Sequence, residues 1–231
     1  MVKIQFLGHS FFKISFPDAK VLIDPFIHNT HPEKEKQYER VLPCSTNVDK
    51  IKNIDMILIS NEMFDHFEKN AIETIAKRDN ALVIAHDSIL NELSLPRQLL
   101  RSINVGQKTA MKNIEITATT AHYPASFYPL GFLLANNGTK VFFAGATDLI
   151  DDFSEIKSDV ALLPIGGSIT MDVVDGVKAT KVMKPRYVIP MHYNTFDFIK
   201  ADAKEFKAKI EKSNLATIPI ILEPGQEFEI K

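Results

Sequence analysis

Asp65-His66 comes directly after an apolar run, MILIS (56–60), in the stretch ILISNEMFDHFEKN. A carboxylate beside an imidazole, just past a strand, can ligate a metal ion or move a proton. The chain has seven histidines, and four of them occupy the same kind of place. His9 follows KIQFLG, His66 follows MILIS, His122 follows IEITATTA and His192 ends YVIPM, while Asp24 closes VLID. Strand ends feed the loops on which a rigid scaffold collects reactive groups. Imidazole with carboxylate suits zinc, iron or manganese, and three such ligands with one open coordination place make a catalytic centre. A lone histidine of this kind is more often a hydrogen-bonded core or rim residue. Four of them with two aspartates at matching strand ends favour a shared site.

The elements around these residues must bring the strand ends together. Apolar alternation predicts strands over KIQFLG, FFKISF and VLID, with PDAK turning the chain between the last two. From about His28 to Lys52 the chain is polar and irregular and reads as a long surface loop, a kind of segment that is often functional. MILIS and ALVIA are strands, followed by helices over EKNAIETIAKR and HDSILNELS. IEITATTAHY, GFLLANNGTKVFFAG and SDVALLPIG are strands, the second folded into a hairpin at Asn137-Gly138, where both residues tolerate positive φ. MDVVDGVKATKVMK is a helix capped by Asp172, YVIPMH a strand, and ADAKEFKAKIEK an amphipathic helix with a solvated charged face. Strand meanders alternating with helices in two comparable parts predict two packed sheets with helices outside. The expected fold is an α/β four-layer αββα sandwich, in a single domain over residues 1–231.

Composition narrows the function classes. Lys and Arg number 27 against 29 Asp and Glu, a net charge of −2, so neither a nucleic-acid footprint nor a polybasic membrane surface is expected. The N-terminus alternates like a strand and lacks the apolar core of a signal peptide. No apolar run reaches the roughly 18 residues that span a bilayer. The lone Cys44 excludes an internal disulfide and fits a reducing compartment, which makes the cytoplasm the expected location. The expected partner is a small-molecule substrate or ligand, with no nucleic acid and no membrane; a homo-oligomer is left open.

GHSFFKI, VLIDPF, FDH, LPIGGSITM and VIPMHYNTF, in this order, with the closing LEPGQEFEI, resemble the uncharacterised metal-dependent hydrolases of the metallo-β-lactamase superfamily, relatives of ascorbate-6-phosphate lactonase. The resemblance spans essentially the whole chain and implies the αββα fold inferred above. It also shows departures. Where the family has His-x-His-x-Asp-His, this chain reads Asn61-Glu62-Met63-Phe64-Asp65-His66. The family's metal-bridging aspartate falls on Ala146. Asn61, Met63 and Ala146 are therefore lost ligand positions, and only His122 remains of the first metal position. The second keeps Asp65, His66 and His192, the inventory of a two-histidine, one-carboxylate site. The resemblance thus implies at most one divalent metal, zinc first with manganese or iron as alternatives, or none. It implies catalytic roles for His122, as general base, and for Asp65. Asp24 resembles an orienting carboxylate, and His9 and Asn61 line the pocket.

His28, His31 and Asp148 are candidates to compensate for the lost ligands, against bland roles as loop or capping residues, and Glu62 reads as a rim acid. Phe11, Phe12, Phe64, Phe67, Phe127, Tyr128 and Phe196 either shape an apolar pocket or belong to the core. Two function classes follow. One is a one-metal hydrolase of lactones, esters or phosphate esters. The other is a metal-free pseudoenzyme that binds a small molecule or a protein in the old pocket.

Overall fold

The computed structural model describes residues 1–28 and 36–230. β1 (Lys3–Gly8), β2 (Phe11–Ser15) and β3 (Lys20–Ile23) form an antiparallel meander. To it β4 (Met56–Leu58), β5 (Leu82–Ala85) and β6 (Leu100–Ser102) add in parallel. A second sheet starts antiparallel with β7 (Lys108–Met111), β8 (Ile114–Thr120), β9 (Leu130–Asn136) and β10 (Thr139–Phe143). It continues in parallel through β11 (Val160–Pro164), β12 (Tyr187–Met191) and β13 (Ile218–Pro219). β14 (Glu227–Glu229) then returns to pair with β1 and closes the first sheet's edge.

The period of two along the strands sets the layers. Ile4, Phe6, Ile14, Val21 and Leu58 share one buried core with Ile116, Phe132, Leu134 and Phe143 of the second sheet. The alternate residues Leu7, Phe11, Leu22 and Ile57 pack outward against Ile72 and Ile75 of α1 (Lys69–Asp79). α2 (Asp87–Leu90) adds Ile89 and Leu90 to that outer layer. On the far side, Val177 and Met183 of α3 (Val173–Met183) and Phe206 and Ile210 of α4 (Ala203–Glu211) pack with the second sheet. Each such buried apolar side chain contributes about 1.5–3 kcal/mol relative to exposure. The result is the four-layer sandwich expected from the sequence. No helix among the described residues is long and apolar enough to cross a membrane.

Local signals behaved unevenly. Asp172 accepts from the Asp175 N–H at 2.9 Å and caps α3, and Asn137 and Gly138 turn the hairpin with φ of 47° and 85°. The helix expected over HDSILNELS stops at Leu90, ahead of Pro96. Short β6, β7 and β13 were not anticipated; their two to four residues carry too little pattern. The described part of the long polar loop is fastened to the scaffold. Val41 N–H donates to Thr195 O (2.8 Å), and Ser45 N–H to Leu7 O (3.1 Å). That attachment places Gln37 and Tyr38 beside the site.

Candidate metal centre

Four side chains converge at one edge of the sheets: His9 from the end of β1, Asp65 and His66 from the turn after β4, and His192 from the end of β12. Their ligand atoms lie within 4.8 Å of one another, and all four residues are buried. His9, Asp24 and His192 have φ of 60°, 48° and 55°, a left-handed backbone that costs an ordinary residue about 1–2 kcal/mol. Such strain gathers where a fold gives up stability for geometry. His192 N–H donates to His9 O (2.9 Å), tying β12 to β1 across the two sheets. Gly166 lies against this turn; a Cβ there would stand 2.2 Å from His192 O, so only glycine fits.

Asp24 organises one side of the group. It accepts from Ser60 N–H (2.7 Å), Ser60 O–H (2.5 Å) and His66 Nδ1–H (2.6 Å). When the ring is neutral, holding its one proton on Nδ1 leaves Nε2 as the lone-pair donor. On the other side, His9 Nε2 is 3.1 Å from Asp65 Oδ2 and Nδ1 is 3.0 Å from Thr195 Oγ1. A carboxylate only accepts, so the His9 proton sits on Nε2 and Thr195 donates to Nδ1. His192 Nε2 is 3.9 Å from the same Asp65 oxygen.

Burial pushes His9 down to about 4, against the pull of Asp65, and holds His192 well below the usual imidazole value. Both rings are neutral at neutral pH, the form a metal needs. Burial also pulls His66 down, but Asp65 and Asp24 outweigh it and the pKa is raised. For Asp65, burial opposes ionisation, yet the surrounding His66, His9 and His192 hold its carboxyl below the usual range. His66 Nε2 and both nitrogens of His192 are buried without a hydrogen-bond partner. Each such orphan costs about 1–3 kcal/mol. Orphaned imidazole nitrogens beside an ionised carboxylate form a donor set that a divalent cation satisfies.

Asp65, His66 and His192 are thus brought together, and His9, expected only to line the pocket, joins them. Asp24 stands behind His66. Asn61 is buried, with its amide used locally: Nδ2 donates to Ser60 Oγ (3.1 Å) and Oδ1 accepts from Met63 N–H (3.0 Å). Ala146 is buried and offers no donor. His122, for which the resemblance implied a catalytic role, is not among the four clustered side chains. Its side chain is 65% exposed, and the Asp148 carboxylate, 3.0 Å from Nδ1, draws the ring outward. None of the described compensation candidates reaches the group. Asp148 is taken up by His122. Glu62, the acid expected at the rim, accepts from Ser126 O–H and Phe127 N–H, both at 2.7 Å. His28 pairs with Glu68, and His31 lies outside the described residues.

A cavity of about 340 Å³ opens onto Asp65 and His192, with Tyr38, Met63, Phe64, Tyr123, Phe196 and Phe198 among its walls. Burial, with Asp65 and Tyr38 nearby, raises the Tyr123 pKa and keeps its phenol protonated. Of the aromatics singled out in the sequence, Phe64 and Phe196 line the cavity, whereas Phe11, Phe12 and Phe67 belong to the cores. Phe127 is exposed, and Tyr128 stacks on His86 at 3.9 Å. Tyr38, Tyr123 and Phe198 were missed. The adjacency of Tyr123 to His122 was the one signal available for them.

Residues 3–192 match the model of the Beta-lactamase superfamily domain. The chain is 35% identical over 243 residues to a UPF0173 metal-dependent hydrolase of Pyrococcus furiosus, with 100% of both chains covered. It is 36% identical over 241 residues to another, of Staphylothermus marinus, with 99% of each covered. Among solved structures it is similar to Igni18, a novel metallo hydrolase from the hyperthermophilic archaeon Ignicoccus hospitalis. The identity is 29% and the TM-score 0.82, over 100% of this chain and 99% of that one. Fold, site and relatives agree: the chain belongs to the β-lactamase superfamily and, within it, to the UPF0173 family of these relatives.

Proposed function

We propose that the protein is a hydrolase that works with a single divalent cation, zinc in the first instance, held by Asp65, His66 and His192. The observation that carries this is the set of buried, partnerless nitrogens on His66 and His192 beside an ionised Asp65. Bound there, the cation would supply Lewis acidity, polarising a substrate oxygen and lowering the pKa of water. Asn61, Met63 and Ala146 give the family's first metal position no ligand, so one equivalent is the ceiling.

The chain's own groups divide the remaining work. Asp24 keeps the His66 proton on Nδ1. His9 holds its proton at Nε2 toward Asp65, and Thr195 Oγ1 can accept as well as donate. The proton can therefore pass to Nδ1, freeing Nε2 to take up a proton from water or to serve as a fourth ligand. Tyr123, held protonated, is a neutral donor for charge developing on a substrate oxygen. Walls of aromatic side chains exclude water. His122, turned to Asp148, stays outside these steps. Small-molecule lactones, esters and phosphate esters are the substrate classes to try, with the cytoplasm as the working compartment. A metal-free pseudoenzyme is the weaker reading, because it leaves the orphaned nitrogens unexplained.

Protein purified without added metal or chelator should carry about one equivalent of metal. It should turn over a member of a lactone, ester and phosphodiester panel, and His66→Ala and His192→Ala should each abolish that turnover. Turnover that survives both substitutions would refute the proposal.

A further inference from the structure

Four lysines, Lys13, Lys20, Lys50 and Lys52, line one hollow of about 500 Å³ on the outer face of the first sheet. None of its lining residues is shared with the cavity at the metal candidates. The strands supply two of the lysines. Lys13 of β2 lies between Phe12 and Ile14, and Lys20 of β3 precedes Val21; these apolar neighbours face the central core, so both lysines face outward. Lys13 is opposite Leu22 and Ser15 is opposite Lys20, which makes the two lysines diagonal neighbours on one face. Like charges so placed repel. The other two come from the loop that crosses this face. Ser45 N–H donates to Leu7 O, and Ile51 and Ile54 are buried in the outer core, so the loop is fixed and Lys50 and Lys52 flank its anchor. The Lys50 N–H is held by Asn47 Oδ1 at 3.1 Å.

The hollow's positive charge is uncompensated. No aspartate or glutamate lines it. Among the described residues, no ion pair or side-chain hydrogen bond occupies any of the four ammonium groups. Glu227, the acid felt at Lys13, pairs with Lys3 at 3.3 Å. The hydroxyls of Ser45 and Thr46, also in the lining, make only long bonds to carbonyls, at 3.3 and 3.4 Å.

We propose that this hollow binds a compact anion carrying at least two phosphoryl groups, an inorganic or nucleoside polyphosphate. A concave wall of one sign concentrates its field on such a ligand. Lysine serves phosphate oxygens as a point charge, without the paired geometry that arginine gives a carboxylate. A single phosphate ester carries about −1.5 to −2, roughly half the charge of four lysines, so a second phosphoryl group completes the match. The volume suits a small molecule. Acids bound the hollow on both sides: Asp18, Asp55 and Asp79 line the one beyond Lys20, and Glu227 and Glu229 hold Lys3 on β14. The positive ground is therefore too short for a nucleic-acid strand.

The test is calorimetric titration with inorganic triphosphate, adenosine triphosphate, orthophosphate and a twelve-residue oligothymidylate. It is run on the protein as purified and after chelator treatment. Both triphosphates should bind the two forms alike, and orthophosphate at least tenfold more weakly. Comparing the two triphosphates reads what an organic group adds, and binding of both supports the proposal in either order. Affinity should fall severalfold between about 0.1 M and about 1 M salt, over which the screening length shrinks from about 10 to 3 Å. Lys13→Gln with Lys50→Gln, and separately Lys20→Gln with Lys52→Gln, should each weaken triphosphate binding at least tenfold. Neither pair should lower Tm, because each removes repulsion without breaking an ion pair. Absence of triphosphate binding, or wild-type affinity in both double variants, would overturn the proposal. So would binding lost on chelation, which places the anion at the metal candidates, orthophosphate binding as tightly, or the oligonucleotide outcompeting triphosphate.

Discussion

Replacing Asp24 with asparagine tests whether this carboxylate sets the metal-binding tautomer of His66. Asparagine keeps one acceptor oxygen for Ser60 N–H and tolerates the left-handed φ of 48°. It loses the charge behind two bonds, those from Ser60 O–H and His66 Nδ1–H. At about 1.5 kcal/mol for each charge-assisted bond, the loss is about 3 kcal/mol. In a chain of this length that lowers Tm by roughly 6–12 °C. The second effect is chemical. The new amide presents N–H to Nδ1, so the His66 proton must move to Nε2, and the ring ceases to be a ligand. Zinc affinity should fall about 10–100-fold, the usual effect of removing such a supporting carboxylate. Thermal unfolding with a competitive zinc titration measures both. Ser60→Ala is the control: it removes one hydroxyl and leaves the His66 tautomer alone, so it should cost about 1 kcal/mol with zinc affinity unchanged. Asp24→Asn with wild-type zinc affinity would refute the tautomer argument, whatever its Tm.

Gly166→Ala places a Cβ 2.2 Å from His192 O; overpacking should cost about 1–3 kcal/mol by urea unfolding and lower the metal content by moving His192. The triple variant Asn61→His, Met63→His, Ala146→Asp should raise the metal content from about one equivalent toward about two by elemental analysis, and an unchanged content would count against the lost-ligand reading. Cys44 has its thiol pushed up by burial, with Arg40 opposing. Because only the thiolate reacts, iodoacetamide labelling at pH 7.5 should run severalfold slower than in the urea-unfolded chain. The gap should narrow as pH rises above about 9.

The layers were legible in the sequence because strands such as KIQFLG and FFKISF alternate with period two. Asp24, Asp65, His66 and His192 were legible as candidates because each follows or closes such a strand. The placement of His9 was not. It depends on the irregular register between Phe6 and Gly8 and on a left-handed turn that points the ring at Asp65, and both are consequences of packing. His122 sits at the same kind of strand end, yet a neighbouring carboxylate 26 residues further along draws it away. Tyr38 and Phe198 come from short 3-10 segments. Such segments carry no periodic signal from which their convergence could be read.

The hydrogen bond from His192 to His9 marks a seam where the two sheets meet, and the metal candidates straddle it. His9, Asp65 and His66 belong to the first sheet and His192 to the second, with more than half the chain between His66 and His192. A cation shared across that seam is a removable crosslink. Like a disulfide closing a long loop, it would deny the unfolded chain its freedom, and its contribution would be set by free metal concentration and not by covalent chemistry. Metal supply would then govern how readily the two sheets part at this edge, and with it the lifetime of the folded chain.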